Sequence, residues 1–369
     1  MNITLVLGAR PQIIKSAPFI HLANKDKQIC LSVIHTGQHY DYEMTKIFFE
    51  ELNLPDPVVN LNVGSGTHAQ QTARTMLRLE RVLQKQKPDI VVVPGDTNST
   101  IAGALTAAKL HIPVAHIEAG ARSYDTKMPE ELNRRLTDHC STLLFAPTEN
   151  CVKNLLREGI PKNRVYQTGD TMYDVMLQQL PKAEKSQILE QLGLKPQKYA
   201  LLTTHRSENV DNPKNLRSIV EAITKLNQLT IVFPIHPRTQ KQLRKFRLYD
   251  LIQKQKHVKM IKPLGYHETI KLIKNSALVM TDSGGVQKEA FWLKTPCVTL
   301  RETTEWPETV RLKANYLAGA NAQKIVHKVT EILREREKIS ERFEKLPNPF
   351  GDGDASQKII RVVKSFANL

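Results

Sequence analysis

The sequence predicts an α/β protein built from two doubly wound, Rossmann-like domains facing a cleft, and three observations carry that prediction. Short apolar runs alternate with longer segments of helical periodicity, as parallel strands joined by crossover helices do. Most of the runs end in glycine, a carboxylate or arginine, the chemistry expected where strand ends open on a ligand. The series is interrupted once, by a polar helical stretch over 171–195, and then starts again. At 369 residues, with 40% hydrophobic and 6% aromatic content, the chain exceeds one ordinary core and suits two.

The first strand is expected over Ile3–Leu7 and leads into Gly8-Ala9-Arg10-Pro11-Gln12-Ile13-Ile14-Lys15-Ser16 at a helix start. The Gly-x-Gly-x-x-Gly of a dinucleotide site is absent there. Arg10 and Lys15 instead flank a positive helix end, an arrangement suited to a phosphate. A second strand, Leu31–His35, runs into Thr36-Gly37-Gln38-His39-Tyr40-Asp41-Tyr42, followed by a loop over Asn60–Gly66 and a helix over Ala69–Gln84.

Residues 89–94 read as a buried parallel strand, and Gly95-Asp96-Thr97-Asn98 after them as a capped helix start, so Asp96 sits at the strand's carboxyl end. The run 112–117 repeats the pattern and gives Glu118 the same position one strand over. Ligands of open α/β sheets bind outside that edge, so two acids there mark a site. The helix beginning Pro129-Glu130-Glu131-Leu132-Asn133-Arg134-Arg135 has proline at its first position, acids in its first turn and an apolar stripe through Leu132, Leu136 and Cys140. Glu130 and Arg134, four apart, form by themselves an ordinary helix salt bridge worth ~0.2–0.5 kcal/mol. Beside Asp96 and Glu118 they complete a candidate site of three carboxylates and a cation. A strand at Leu143–Ala146, a helix around Cys151–Glu158 and a strand at Val165–Gly169 close the first domain near Asp170.

In the second series the strand starting at Tyr199 ends in His205-Arg206-Ser207-Glu208-Asn209, and Thr230–Ile235 ends in His236-Pro237-Arg238; two basic pairs at strand ends again point to an anion. The clearest anion signal is the strand Ala277–Thr281 followed by Asp282-Ser283-Gly284-Gly285 at a helix start. Two glycines allow close backbone approach, Ser283 caps or bonds a phosphate oxygen, and the exposed amides suit a diphosphate. Glu289, one turn in, is placed to accept from two ribose hydroxyls, and the strand Cys297–Leu300 delivers Arg301 to the same edge. Residues 321–345 read as one charged amphipathic helix and Ala355–Phe366 as a last helix crossing back to the first domain. The expected division is therefore 1–170, 171–350 and a C-terminal helical segment, 351–369.

The net charge of +16 concentrates in residues 182–274, where 19 Lys and Arg stand against 7 Asp and Glu. Those basic residues lie along helices without interleaved aromatics, so a basic surface that draws anionic ligands is expected in place of nucleic-acid binding. Cys30, Cys140, Cys151 and Cys297 form no CxxC pair and lie in apolar contexts, which suggests buried free thiols in a cytoplasmic protein. The twelve histidines lack metal-ligand spacing, no signal peptide is visible, and no apolar run approaches the ~20 residues of a membrane helix. No metal, cofactor or membrane partner is expected.

Taken in order, the motifs GARPQIIK (8–15), TGQHYDYEM (36–44), PGDTNST (94–100), HIEAGARS (116–123), PEELNRR (129–135), THRSEN (204–209), HPR (236–238), TDSGGVQKEA (281–290) and RETTEWPE (301–308) resemble the non-hydrolysing UDP-N-acetylglucosamine 2-epimerases over nearly the full length. The resemblance implies the two-domain fold of GT-B glycosyltransferases, a UDP-sugar substrate between the domains, and a homodimer. It implies nucleotide contacts at Arg10, His236, Ser283, Gly284, Gly285, Glu289 and Arg301, and chemistry at Asp96, Glu118, Glu130, Arg134 and His205 with Lys15 nearby. It further implies a role in making precursors of cell-surface polysaccharide. Two positions depart from the commonest family pattern: Gln12 where an acid often follows Arg-Pro, and Trp306 where arginine often precedes Pro-Glu. Both resemble a branch acting on UDP-2,3-diacetamido-2,3-dideoxy-glucuronate. The effector site of some bacterial members would fall on Gln38, His39 and Arg74, although Tyr40-Asp41 departs from its pattern.

The chemistry can be argued from the substrate. The C2 proton of a hexosamine is not adjacent to a carbonyl, so its direct removal leaves an unstabilised carbanion, and oxidation needs a nicotinamide site that this sequence lacks. Elimination of UDP across C1–C2 avoids both, and the glycal is then reprotonated from the opposite face. Acid/base groups on both faces are required, which three carboxylates with burial-raised pKa values can supply, while Arg10, Arg301 and His205 stabilise the leaving diphosphate. A GT-B glycosyltransferase would share the fold and diphosphate site without needing the acids around C2. A non-catalytic binder would leave them idle, and a hydrolysing epimerase would release the free sugar.

Overall fold

The computed structural model describes residues 1–37 and 48–367. They form two compact units, one of residues 1–177 with 348–369 and one of residues 178–347.

The first unit holds a seven-stranded parallel sheet of β1 (Asn2–Leu7), β2 (Cys30–His35), β3 (Val59–Asn60), β4 (Ile90–Pro94), β5 (Val114–Ile117), β6 (Leu143–Ala146) and β7 (Val165–Gln167), in the order β3-β2-β1-β4-β5-β6-β7. Helices cover both faces, so the central strands are largely apolar: Ile3, Leu5, Val6 and Leu7 of β1 and Ile90 to Val93 of β4 are all buried. Each such side chain contributes about 1.5–3 kcal/mol of burial. The register sets Leu5 beside Val92 and Val93 beside His116, which brings the carboxyl ends of β1, β4 and β5 level. Between β1 and β4 the order reverses, and there α1 (Arg10–Lys25) leaves one strand while α3 (Asn98–Lys109) leaves the other. A Cβ on Gly8 would lie 1.9 Å from Ser99 Oγ, so glycine is required where β1 ends against α3. Below them α2 (His68–Gln86) packs Leu79 and Leu83 on Val91, Val93 and Ala107. The first unit is completed by α4 (Pro129–Cys140), α5 (Glu149–Arg157), the first half of α6 (Thr171–Glu184) and a C-terminal helix (Ala355–Ala367), which packs on α1 and places Lys364 in an ion pair with Asp26.

The second unit repeats the arrangement with six parallel strands, β8 (Tyr199–Thr203), β9 (Thr230–Pro234), β10 (Val258–Ile261), β11 (Leu278–Thr281), β12 (Cys297–Thr299) and β13 (Asn315–Leu317), in the order β10-β9-β8-β11-β12-β13. Its core gathers Tyr199, Leu201, Val232, Leu272, Val279 and Cys297.

Three strands escape the sequence: β3, β10 and β13. All three are edge strands, paired on one side only and partly exposed, so they carry no apolar run to betray them. The single helix expected over 321–345 is two, Ala322–Arg334 and Arg336–Glu344, broken at Glu335, whose ψ of 18° leaves the helical range. The four cysteines are free, but only Cys151 and Cys297 are buried; Cys30 opens β2 at the exposed end of the strand, and Cys140 closes α4 half-buried. No helix among the described residues is long and apolar enough to cross a membrane.

The clearest correction concerns α4. Its apolar stripe faces outward, with Leu132 59% and Leu136 46% exposed, and the buried face is Glu131, Asn133, Arg134, Thr137 and Asp138. The helix turns its polar side inward because that side meets charged and polar partners from β4, β5 and their loops.

Candidate active site

In the first unit the carboxyl ends of β4 and β5 deliver the acids to one place. Gly95 adopts φ +71° and its amide donates to Ile117 O at 2.9 Å, which ties the two strand ends together. Asp96 then meets α4: its Oδ2 accepts from Arg134 at 2.7 Å, and its carbonyl accepts from Asn133 Nδ2 at 3.0 Å. Glu118 has φ +73°, a left-handed backbone that costs a non-glycine residue ~1–3 kcal/mol and is concentrated at functional sites. It is held there by Phe145 O, which accepts from the amides of Glu118 and Ala119 at 3.1 and 3.0 Å. The Glu118 carboxylate is ion-paired with Lys15 from the second turn of α1, with both side chains nearly buried.

Asp96 and Glu118 each carry a cationic partner, because α4 and α1 bring Arg134 and Lys15 against them. Arg134 also donates to Glu131 Oε2 at 3.0 Å, an i,i+3 pair within α4 that the reading of Glu130 as its helix partner overlooked. Glu131 is 1% exposed and accepts from the amides of Ser123 and Tyr124 and from Ser123 Oγ, so it anchors the loop that follows Glu118. Glu130 is half-buried in the first turn of the helix. Arg10 is the first residue of α1 and stacks its guanidinium 4.4 Å from the Phe48 ring.

Gln12 is turned into the fold. It is 1% exposed, its Oε1 accepts from the amides of Gly8 and Ala9 and from Thr97 Oγ1, and its Nε2 donates to Pro94 O at 2.8 Å and Thr100 Oγ1 at 3.0 Å. An amide can do both; a carboxylate could not donate to Pro94 O. Gln12 therefore clips β1 to β4 at the switch point. Gln38 and His39 lie outside the described residues, whereas Arg74 lies in α2.

Behind the acids runs a buried set that sequence reasoning missed. His116 and Asp138 are both fully buried and 2.7 Å apart, and Arg122, 1% exposed, reaches Asp138 and Glu158, each at 2.7 Å. Burial pushes the Asp138 carboxyl up, but the His116 and Arg122 charges outweigh it and hold it below its ordinary range. Glu158 behaves likewise: burial raises it, and Arg122 brings it net below 4.5. A carboxylate depressed in the folded state contributes stability above its unfolded pKa and loses it as pH falls through the folded one. Unfolding free energy should therefore fall steeply on acidification below about pH 4.5, and a Glu158→Gln variant followed by urea titration should show a shallower slope over that window. Equal slopes would assign the acid sensitivity elsewhere. The signal was present in the sequence: Glu131, Arg134 and Asp138 stand at i, i+3 and i+7, a charged stripe on one helix face.

In the second unit, β11 ends in the helix Gly284–Trp292, whose N-cap Ser283 makes no side-chain cap hydrogen bond. Ser283, Gly284 and Gly285 thus present a helix start without a side-chain cap, the arrangement a diphosphate would use. Gly284 packs against the RETTEWPE loop: a Cβ there would lie 3.3 Å from Trp306 Nε1 and 3.4 Å from Glu305 Oε2. Lys288 sits 4.0 Å from the Trp306 ring, and both residues are buried. Glu289 is 4% exposed in the same helix. Arg301 is 5% exposed and paired with Glu305 at 2.9 Å and Glu208 at 3.3 Å.

His205 and His236, from the ends of β8 and β9, come together with ring centroids 5.7 Å apart. The loop carrying His205 is organised by Asp282, which is fully buried. It accepts from Thr204 Oγ1 at 2.7 Å and, at 3.1 Å each, from the amides of His205 and Arg206 and from Asn209 Nδ2. Asp282 was legible only as part of a helix start, since nothing local marks the strand it reaches across to.

A family model described as UDP-N-acetylglucosamine 2-epimerase matches residues 21–364. A UDP-N-acetylglucosamine 2-epimerase of Methanocaldococcus jannaschii is 49% identical over 98% of this chain and 99% of its own length. The crystal structure of the M. jannaschii enzyme in complex with UDP-GlcNAc and UDP superposes with a TM-score of 0.92, covering 99% of this chain and all of that one. A UDP-2,3-diacetamido-2,3-dideoxy-D-glucuronate 2-epimerase of Pseudomonas aeruginosa is 42% identical over 97% of this chain and 98% of its own. At 13% identity and a TM-score of 0.63, a Phytolacca americana protein solved with UDP-2-fluoro-glucose and pterostilbene shares the fold alone.

Proposed function

This chain belongs to the UDP-N-acetylglucosamine 2-epimerase family and is an isomerase of GT-B-like fold, and from that premise we propose that it interconverts UDP-N-acetylglucosamine and UDP-N-acetylmannosamine by elimination and re-addition of UDP. The observation that carries the mechanism is the pairing of Asp96 with Arg134 and of Glu118 with Lys15 at adjacent strand ends. A carboxylate at each strand end is a group that can accept a proton from carbon.

One carboxylate of the group Asp96, Glu118 and Glu130 takes the C2 proton. The C2–H electrons become the C1–C2 double bond as the C1–O bond breaks and its electrons leave on the β-phosphate. The glycal then takes a proton at C2 from the other face of the ring while UDP re-adds at C1. The amides of Gly284 and Gly285, Ser283, His205, His236 and Arg301 are assigned to the diphosphate and Glu289 to the ribose, and Arg10 of the first unit is a further phosphate candidate.

Proton NMR in heavy water tests this directly, with UDP-N-acetylglucosamine and no added metal or nicotinamide. The expected result is the UDP-N-acetylmannosamine anomeric signal with deuterium at C2. Binding of UDP with an unchanged sugar spectrum would reject this substrate. Trp306 and the Pseudomonas relative favour one second reading, epimerisation of the 2,3-diacetamido uronate, which the same experiment checks with that sugar.

The product suits a precursor of surface polysaccharide, and we place the enzyme in the cytoplasm as a homodimer. The outward stripe of Leu132 and Leu136 supplies apolar surface for a second copy. Light scattering should give twice the 41.9 kDa chain mass, and Leu136→Glu should lower it; a monomeric parent removes the dimer.

A further inference from the structure

The buried charged set in the first unit connects every element that carries an acid/base residue. His116, in β5, places Nδ1 2.7 Å from Asp138 Oδ1 and Nε2 2.7 Å from the carbonyl of Gly95, the residue before Asp96. Asp138 lies on α4 one turn beyond Arg134, and its other oxygen accepts from the Gly120 amide at 3.2 Å and from Arg122 at 2.7 Å. Arg122 donates to the Ala121 carbonyl at 2.8 Å and, through Nε and Nη2, to Glu158 at 2.9 and 2.7 Å. His116, Arg122 and Asp138 have at most 1% exposure, and at Glu158 the set reaches Arg135 and His139 near the surface.

We propose that His116 and Asp138 are positioning residues, a buried hydrogen-bonded pair that fixes the ends of β4 and β5 and helix α4 in one mutual register, and with them Asp96, Glu118 and Arg134. The inference rests on the proton-transfer reading above. Both ring nitrogens of His116 face oxygens, a carboxylate on α4 and a carbonyl at the end of β4, so the ring bridges the two elements. The Gly95 carbonyl is the more sensitive partner, because the left-handed turn at Gly95 aims Asp96, and Glu118 next door sits on a strained turn of its own. Apolar side chains of equal volume would pack such a core at least as stably as a desolvated ion pair. What they could not supply is a directional link from α4 to a strand-end carbonyl.

Asp138→Asn keeps the shape and withdraws the charge. With UDP-N-acetylglucosamine, kcat per UDP-binding site should fall about 30-fold while KM changes by less than about threefold, as a displacement well under an ångström in the acid/base group would produce. Counting sites by UDP titration removes unfolded protein from the measurement, which a merely structural loss would not survive. Adding His116→Gln to Asp138→Asn rebuilds a neutral donor chain and should recover part of kcat. If the variants do not fold, histidine NMR of the parent decides: the ring N–H of one buried histidine should exchange slowly with solvent, as a ring locked between two oxygens does. A single-variant kcat per site within about twofold of the parent, or a His116 ring N–H that exchanges freely with solvent, overturns the inference while leaving the epimerase reading intact. A parent that turns over no UDP-sugar refutes the epimerase reading first and the positioning role with it.

Discussion

Glu118→Gln is expected to lower kcat for C2 epimerisation by about 10³-fold, within the range lost when a positioned proton carrier is removed, with UDP affinity unchanged. Glutamine keeps the length and one oxygen of the side chain but cannot take a proton from C2. The substitution also strands Lys15, which is 9% exposed and pairs with Glu118 across the end of β4. An unpaired buried ammonium destabilises the fold by roughly 1–3 kcal/mol, so lost activity and lost stability must be separated. The double variant Lys15→Met with Glu118→Gln should regain much of the stability and none of the rate. Deuterium uptake at C2, measured beside the steady-state rate, reports the same step from the side of the proton. If Glu118→Gln retains kcat to within about tenfold, Glu118 is an electrostatic partner of Lys15, and proton transfer falls to Asp96 and Glu130.

The second large effect is expected at Asp282. Asp282→Ala leaves Thr204 Oγ1, two loop amides and Asn209 Nδ2 without their buried acceptor. Each orphaned donor costs about 1–3 kcal/mol before relaxation, and Asn209 keeps its second bond to Leu300 O at 2.9 Å. A net loss of about 3–4 kcal/mol is expected by urea denaturation. His205 should lose its place near Asp282 and His236, weakening UDP binding about 10- to 100-fold by calorimetry, a magnitude typical of losing one charge-assisted contact. Lower stability with unchanged UDP affinity would remove the His205 loop from the nucleotide site. Asp282→Asn, which keeps one acceptor oxygen, should fall between the two.

The sequence made most of the architecture legible, because a strand buried on both faces has to be apolar along most of its length. The central strands announced themselves for that reason, and so did the residues at their carboxyl ends, since Gly95-Asp96, Ile117-Glu118 and Thr281-Asp282-Ser283-Gly284 follow those runs directly. The edge strands β3, β10 and β13 did not, for want of a second neighbour to demand apolar side chains. The helix α4 misled, since its apolar residues mark the outside and its charged residues the inside.

What the sequence by itself determined is which groups reach the sheet edge: three carboxylates in the first unit, and glycines, Ser283 and histidines in the second. Only the tertiary structure decided how they are paired. Lys15 meets Glu118 from 103 residues away, Arg134 meets Asp96 from 38, and Asp282 gathers a loop 73 to 78 residues before it. Such partners are set by strand order and register, which place distant segments side by side, and no local periodicity records them. The same holds for His116 and Asp138, which look like an ordinary strand histidine and helix aspartate until β5 and α4 close over them.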